Sequence, residues 1–167
     1  MKLTKLFLLL ASISALVIGS ASNVLAATAT STFKVQTTVK KNCTIGTVDI
    51  TFPDYDPLTG AAVDTAAGAV TITCTQNATT TIGLNFGSNT PSGPATMSDG
   101  ASHSLQYALY KDAPGGALWG NNGLGLFTPA AAPSKAPRTF PIYGRIDANQ
   151  EAPAGTYTDT VTATVNF

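Results

Sequence analysis

The feature that most restricts the fold of this chain is a recurring alternation of apolar and polar residues. The last segment shows it best, because Tyr157, Val161, Ala163, Val165 and Phe167 alternate with threonines and one asparagine. Neighbouring side chains of a β-strand point to opposite faces of the sheet, so this period of two predicts half-buried strands. The sequence therefore predicts an all-β protein.

The alternation predicts strands over residues 33–39, 48–52, 69–75, 80–86, 105–110, 139–146 and 157–167. A loop rich in Gly, Pro and Ser separates two of them at residues 87–102. Charged residues make up 11% of the chain, and threonine is abundant from residue 27 onward. Threonine is β-branched and polar without being charged, which suits the wet face of a sheet.

The first 26 residues have the three-part layout of a secretory signal peptide. Lys2 and Lys5 form a basic start, residues 6–18 are almost entirely apolar, and residues 24–26 offer a cleavage point. The apolar run is shorter than the roughly 20 residues that a membrane-spanning helix needs. We therefore expect an exported chain that is cleaved after Ala26 or Ala27 and folds as one domain.

The two cysteines, Cys43 and Cys74, both follow the predicted signal peptide. Exported chains fold in an oxidising compartment, where an even pair of cysteines normally forms a disulfide. Zinc binding is disfavoured, because these cysteines and the lone His103 do not have the spacing of a zinc site. We predict a Cys43–Cys74 disulfide and no bound metal.

Charge and motifs disfavour several functional classes. Residues 27–167 carry seven basic and nine acidic residues without a basic stripe, which disfavours nucleic-acid binding. The single His103 has no nucleophile motif to serve, so a catalytic triad is not expected. Asp159 shares a face with apolar residues and is expected at the sheet rim or hydrogen-bonded inside. We predict no enzymatic activity and no cofactor.

Two weaker site hypotheses rest on small groups of residues. Asp54 and Asp56 could suggest calcium, but their neighbours lack the spacing of a calcium loop, so a solvated turn is preferred. Trp119, Tyr110 and Tyr143 could form a platform for stacking a sugar, although large aromatic residues in sandwiches usually pack in the core. A monomeric carbohydrate-binding sandwich therefore remains an alternative.

Both ends of the region after the signal peptide have an apolar stripe. Phe33, Val35 and Val39 form one stripe near its start, and the alternating segment 157–167 forms the other. An apolar strand with an unpaired edge promotes association with another strand. The pattern suits a subunit that exchanges strands with its neighbours, but an ordinary sandwich could also pair its own first and last strands.

Several short segments, in this order, carry a family resemblance. They are residues 52–56 (FPDYD), 70–74 (VTITC), 105–112 (LQYALYKD), 119–120 (WG), 141–146 (PIYGRI), 155–160 (GTYTDT) and 165–167 (VNF). With the cysteine spacing and the predicted signal peptide, the sequence resembles the spore coat protein U domain, the pilin-like domain of archaic chaperone-usher pili. Pro53 departs from the pattern, since family members often have glycine there.

The resemblance implies an incomplete immunoglobulin-like β-sandwich that lacks its last strand and is completed by strand donation. It implies a donor-strand segment at residues 27–40, with Phe33, Val35 and Val39 as donor residues, and a sandwich domain at residues 41–167. Val161, Val165 and Phe167 would form the acceptor groove and the chaperone contact, with the Phe167 carboxylate bound by a basic residue of the chaperone.

The implied function is a structural subunit of a secreted surface fibre, a shaft or adaptor pilin that supports adhesion or biofilm formation. The implied partners are a periplasmic pilus chaperone, an outer-membrane usher and identical or related pilin subunits, with no small-molecule substrate. The expected location is the cell surface, reached through the periplasm. A secreted spore or cell coat protein of the same family is the alternative within this resemblance.

Overall fold

The structure is a computed structural model that describes residues 27–90 and 93–167. The predicted signal peptide, residues 1–26, lies outside the described residues. The chain divides into two units, Met1–Thr37 and Thr38–Phe167. In the first unit, residues 27–37 form neither helix nor strand, and Phe33 and Val35 are 87% and 85% exposed.

The second unit consists of antiparallel β-strands. They are β1 (Cys43–Val48), β2 (Val63–Cys74), β3 (Thr81–Leu84), β4 (Thr96–Ser98), β5 (Ser104–Tyr110), β6 (Arg138–Ile146) and β7 (Ala163–Asn166). Five strands form a sheet in the order β1-β2-β6-β5-β4, and β3 pairs with β7 in a second sheet. The prediction of an all-β protein is confirmed. Within residues 27–90 and 93–167, no helix is long and apolar enough to cross a bilayer.

The core follows the predicted alternation along the longest strand. In β2, Val70, Ile72 and Cys74 are buried, while Thr71 and Thr73 between them are partly exposed. Ile82 and Leu84 of the second sheet belong to the same buried cluster, together with Ile142 and Ile146 of β6. Apolar residues of both sheets therefore share one core, as expected when two amphipathic sheets pack face to face.

The prediction of a strand at residues 48–52 is wrong, because the first strand is β1, which ends at Val48. Pairing with β2 begins where Cys43 faces Cys74 and continues to Val48 facing Ala69. Beyond that point β2 continues to pair with β6, with a register shift between Thr65 and Gly68. Residues 49–52 are not part of the strand. Two of them, Ile50 and Phe52, pack against the core and are partly buried.

The long terminal strand predicted at residues 157–167 is also shorter than expected. Only Ala163–Asn166 form a strand, and Thr158 makes an isolated bridge to Ser98. The short strand β4, which contains Ser98, lies in a segment predicted to be a loop. Residues 33–39, predicted as a strand, form none, and Val39 is 79% exposed.

Candidate functional site

An open groove separates two segments of the second unit that the sequence placed in strands. One wall consists of residues 47–52 and the other of residues 157–161 and Ala163. The groove has a volume of about 470 Å³. Its floor is apolar and is formed by Leu84, Met97, Tyr107, Leu109 and Ile142. Leu84, Tyr107, Leu109 and Ile142 are at most 7% exposed, so the groove reaches down to the buried core without laying it open to solvent.

The C-terminal wall has an open backbone edge toward the groove. The backbone groups of its even-numbered residues form hydrogen bonds on the side away from the groove. Thr158 exchanges two such bonds with Ser98, and the carbonyl of Thr162 accepts one from the N–H of Asn85. In an extended chain the alternate residues direct their N–H and C=O groups to the opposite side. Among residues 27–90 and 93–167, none makes a backbone hydrogen bond with Asp159 or Val161. This edge can therefore accept a further strand.

A polar cluster around Asp159 holds this wall against the sandwich. The Tyr107 hydroxyl donates to Asp159 Oδ2 over 2.8 Å. Asp159 Oδ1 accepts from the backbone N–H groups of Ser88 at 2.9 Å, Thr160 at 2.7 Å and Asn89 at 3.3 Å, and from Ser88 Oγ at 3.1 Å. The carboxylate thus connects the groove wall to β5 and to the loop after β3.

The loop after β3 approaches the carboxylate closely at Gly87. This residue has a φ of 87°, in the left-handed region that favours glycine. A Cβ placed on Gly87 would overlap the carboxylate of Asp159. The close approach is what lets the N–H groups of the next two residues reach Oδ1.

Two pKa shifts describe the charge state of this cluster. Burial acts to raise the pKa of Asp159, but the hydrogen bonds from Tyr107, Thr160 and Ser88 outweigh it and lower the pKa below its ordinary value. Burial raises the pKa of Tyr107, and the hydrogen bond to Asp159 raises it further. At neutral pH Asp159 is therefore a carboxylate and Tyr107 a fixed hydrogen-bond donor.

The structure places one of the three predicted acceptor residues in the groove. Val161 lines it, as does Ala163. Val165 instead pairs with Ile82 of β3, and Phe167 is 51% exposed; neither lines the groove.

Sequence reasoning missed most of the groove lining. Tyr107 and Leu109 alternate within a correctly predicted strand, so their inward direction could be predicted from the sequence. Their position beneath a groove depends on the pairing of distant strands. The wall at residues 47–52 was missed because it was predicted as a regular strand.

The structure joins Cys43 and Cys74 in a disulfide, in agreement with the prediction. It connects the first residue of β1 to the last residue of β2. The chain just before it is also held, because Asn42 and Thr75 are hydrogen-bonded through the Thr75 N–H and hydroxyl.

The other candidate residues are buried in the core or hydrogen-bonded to neighbouring residues. Trp119 is only 4% exposed and donates from Nε1 to the carbonyl of Ile82, and Tyr110 is also buried, so these two side chains do not offer a surface for a sugar. His103 contacts Asp99 on an exposed loop at 2.6 Å. Asp56 accepts from the N–H of Leu58 in a turn. In the part of the chain that the structure describes, no three His, Cys, Asp or Glu residues could share a metal ion.

Comparison with known proteins identifies the fold around this groove. The spore coat protein U domain matches residues 29–164. The chain belongs to the spore coat protein U domain family. This family member is 32% identical over 165 residues to Protein U of Myxococcus xanthus, with 85% of this chain and 87% of that protein covered.

A solved structure similar to this family member is the chaperone-tip adhesion subunit pre-assembly complex CsuC-CsuE, from archaic chaperone-usher Csu pili of Acinetobacter baumannii. The TM-score is 0.58 at 25% identity, and the match covers 78% of this chain. It covers 41% of the matched chain, so this family member spans less than half of that chain's length. Family and structure together identify a pilin-like β-sandwich of the chaperone-usher type.

Proposed function

We propose that this protein is a non-enzymatic structural subunit of a secreted surface fibre and that its groove receives the N-terminal segment of a neighbouring copy. The observation that carries the proposal is the groove itself, where an apolar floor lies beside the open backbone edge of Asp159 and Val161. Strand addition uses both features, because main-chain hydrogen bonds give affinity and pockets for alternate side chains give specificity.

The segment at residues 27–40 has the properties of the missing strand. It is not in a strand, and its apolar residues Phe33, Val35 and Val39 are exposed. Residues 33–39 in extended form span about 20 Å, as do the seven residues of the wall at 157–163. Burying the three apolar side chains would contribute on the order of 6 kcal/mol before the cost of ordering the segment.

Charge also favours this pairing. Residues 27–41 contain Lys34, Lys40 and Lys41 and no acidic residue, whereas Asp49 and Asp159 line the groove. Opposite charges on the two surfaces raise the association rate and disfavour competing partners.

The same groove needs protection before assembly. We infer that a periplasmic pilus chaperone fills it with a strand of its own after the signal peptide is removed, and that an outer-membrane usher exchanges this strand for a subunit's residues 27–40. The resulting fibre, of identical or related pilins, would support adhesion or biofilm formation. Val165 and Phe167, which lie outside the groove lining, are then residues for chaperone contact.

The proposal is tested by giving the chain its own donor strand. Residues 27–167 are exported alone, and again with a second copy of residues 27–40 attached after Phe167 by a flexible linker. We expect the extended chain to be a stable monomer and the shorter chain to aggregate, be degraded or melt at a lower temperature. Equal stability of two monomeric forms would refute the proposal.

Two substitutions in the attached copy separate strand binding from a general effect of the added residues. Phe33→Asp places a charge on the apolar stripe and should abolish the stabilisation, because the carboxylate would enter the groove. Gln36→Asp places the same charge on the opposite face and should retain most of it. Equal effects of the two substitutions would show that the attached copy does not bind as a strand.

The family description favours a second candidate, a coat protein deposited on a cell or spore without forming fibres. Electron microscopy of the secreted material, produced with its chaperone and usher, distinguishes the two. Thin fibres support the pilus subunit, and an amorphous layer supports the coat protein.

A further inference from the structure

We propose that Thr37 of the incoming segment pairs with Asp159 and thereby sets the register of the donated strand. The Thr37 hydroxyl donates to Asp159 Oδ2, with the segment antiparallel to residues 157–163. This inference rests on the proposed function and adds a specificity determinant to the same groove.

Two carboxylates, Asp49 and Asp159, line the groove, and Asp159 lies on the wall with the open backbone edge. Asp159 Oδ1 already accepts four hydrogen bonds, but Oδ2 accepts only that of the Tyr107 hydroxyl from the residues that the structure describes. A carboxylate oxygen can accept about two hydrogen bonds, so Oδ2 can take another. Asp159 lines the groove in which the strand would be added, and the backbone of Gly87 lies against Oδ2 on the side of the loop after β3.

The segment offers one matching donor. The inward positions of the stripe are Phe33, Val35, Thr37 and Val39, and Thr37 is the polar one among them. A strand with four apolar positions could shift by two residues at little cost. A single polar residue in such a stripe makes the shifted registers unfavourable, because a polar group then loses its partner.

The antiparallel direction gives the better fit when Thr37 faces Asp159. Val35 then lies opposite Val161, and Phe33, the largest side chain of the stripe, lies opposite Ala163, the smallest inward residue of the wall. All of these wall residues line the groove.

The parallel direction with the same polar pair buries less of the stripe. Val39 would lie opposite Val161, and Phe33 would lie opposite Gly155, outside the groove lining. The apolar residue that contributes most to burial would then remain in water. The antiparallel arrangement therefore buries the whole stripe.

Cysteine pairs in the extended chain test this register directly. A linker of about 20 Gly and Ser residues is long enough to allow either strand direction. Val161→Cys is combined with Val35→Cys in the attached copy for the proposed register. In two control variants, Val161→Cys is combined instead with Val39→Cys, which tests the parallel strand, or with Phe33→Cys, which tests a shift by two residues. Peptide mapping distinguishes the new disulfide from Cys43–Cys74.

We expect the Val35 variant to crosslink at least about tenfold faster than either alternative, equivalent to a preference of about 1.4 kcal/mol. Faster crosslinking of the Val39 or Phe33 variant, in an extended chain that is stabilised, would overturn the register and leave the proposed function intact. Absence of both crosslinking and stabilisation would refute the proposed function as well.

Substitutions of Thr37 in the attached copy test the polar pair. Thr37→Val keeps the shape and removes the hydroxyl, so it should reduce the preference of Val35 for Val161 severalfold. Thr37→Ser keeps the hydroxyl and should retain most of the preference. If Thr37→Val leaves the crosslinking preference unchanged, Thr37 does not set the register.

Discussion

Gly87 supports the groove wall through its contact with Asp159, and Gly87→Ala should be among the most damaging single-methyl substitutions in this chain. Two costs add at this position. An L-residue in the left-handed region costs about 1 to 2 kcal/mol, partly offset by the lower entropy of an unfolded chain with alanine. The new Cβ also overlaps the carboxylate of Asp159, which must move.

Moving Asp159 disrupts the hydrogen bonds that it accepts. Hydrogen bonds to a charged group contribute about 1.5 to 3 kcal/mol, and the partial exposure of Asp159 favours the lower end of that range. Adding the backbone cost and the loss of hydrogen bonds to Asp159, we expect Gly87→Ala to lower the free energy of unfolding by about 3 kcal/mol.

Gly100→Ala is the matched control for this substitution. Gly100 has a φ of 79°, close to that of Gly87, but nothing lies within 4 Å of the position where its Cβ would be. It should cost only the backbone contribution, about 1 kcal/mol. The difference between the two variants measures the displacement of Asp159.

Urea unfolding of the purified chain at neutral pH measures both effects. Trp119 is the single tryptophan and is buried, so its fluorescence reports the loss of the core. Equal losses in the two variants would show that the Asp159 cluster contributes little to stability. If the cluster is coupled to Gly87 as described, the loss from Gly87→Ala should become smaller in an Asp159→Ala background.

Two further substitutions test other parts of the structure. Replacing Cys43 and Cys74 together by serine should lower the free energy of unfolding by about 3.6 kcal/mol in the loop-entropy account, measured by the same urea titration, and a loss well under 1 kcal/mol would contradict it. The pKa of Asp159 is lowered in the folded chain, so its ionised form adds stability at pH values above the ordinary pKa of an aspartate. This stability is lost as the pH falls through the lower folded pKa, so Asp159→Asn should make stability less dependent on pH in the acid range. An unchanged slope below pH 4 would show that Asp159 does not account for the acid sensitivity.

The three central strands of the large sheet, β2, β6 and β5, could be predicted from the sequence in whole or in part. Alternation placed β5 and β6 to within one residue and identified the second half of β2, because one face of each strand packs on the core, but it missed residues 63–68 of β2. The pairing of Cys43 with Cys74 followed from cysteine number and export. These features depend on local pattern and simple chemistry.

The groove could not be predicted in the same way, because it depends on where pairing stops. Residues 48–52 and 157–162 alternate as well as true strands do, yet they lie beside an open groove instead of a partner strand. Alternation identifies the side chains that face the core, but it does not show whether a neighbouring strand forms hydrogen bonds with the backbone. Asp159 was expected at the rim or inside, but its bonds to Tyr107 and Ser88 join residues far apart in the sequence.

The disulfide at the start of β1 has a mechanical consequence. Tension applied through residues 27–42 reaches Cys43 and passes through a covalent bond to Cys74, at the end of a strand inside the five-stranded sheet. The hydrogen bonds between β1 and β2 are thereby relieved of that load, so β1 cannot be peeled from the sheet from its N-terminal end while the disulfide is intact. Resistance to pulling from this end is therefore determined by β2 and its pairing with β6. Reduction of the disulfide would transfer the load to β1, the edge strand of the sheet.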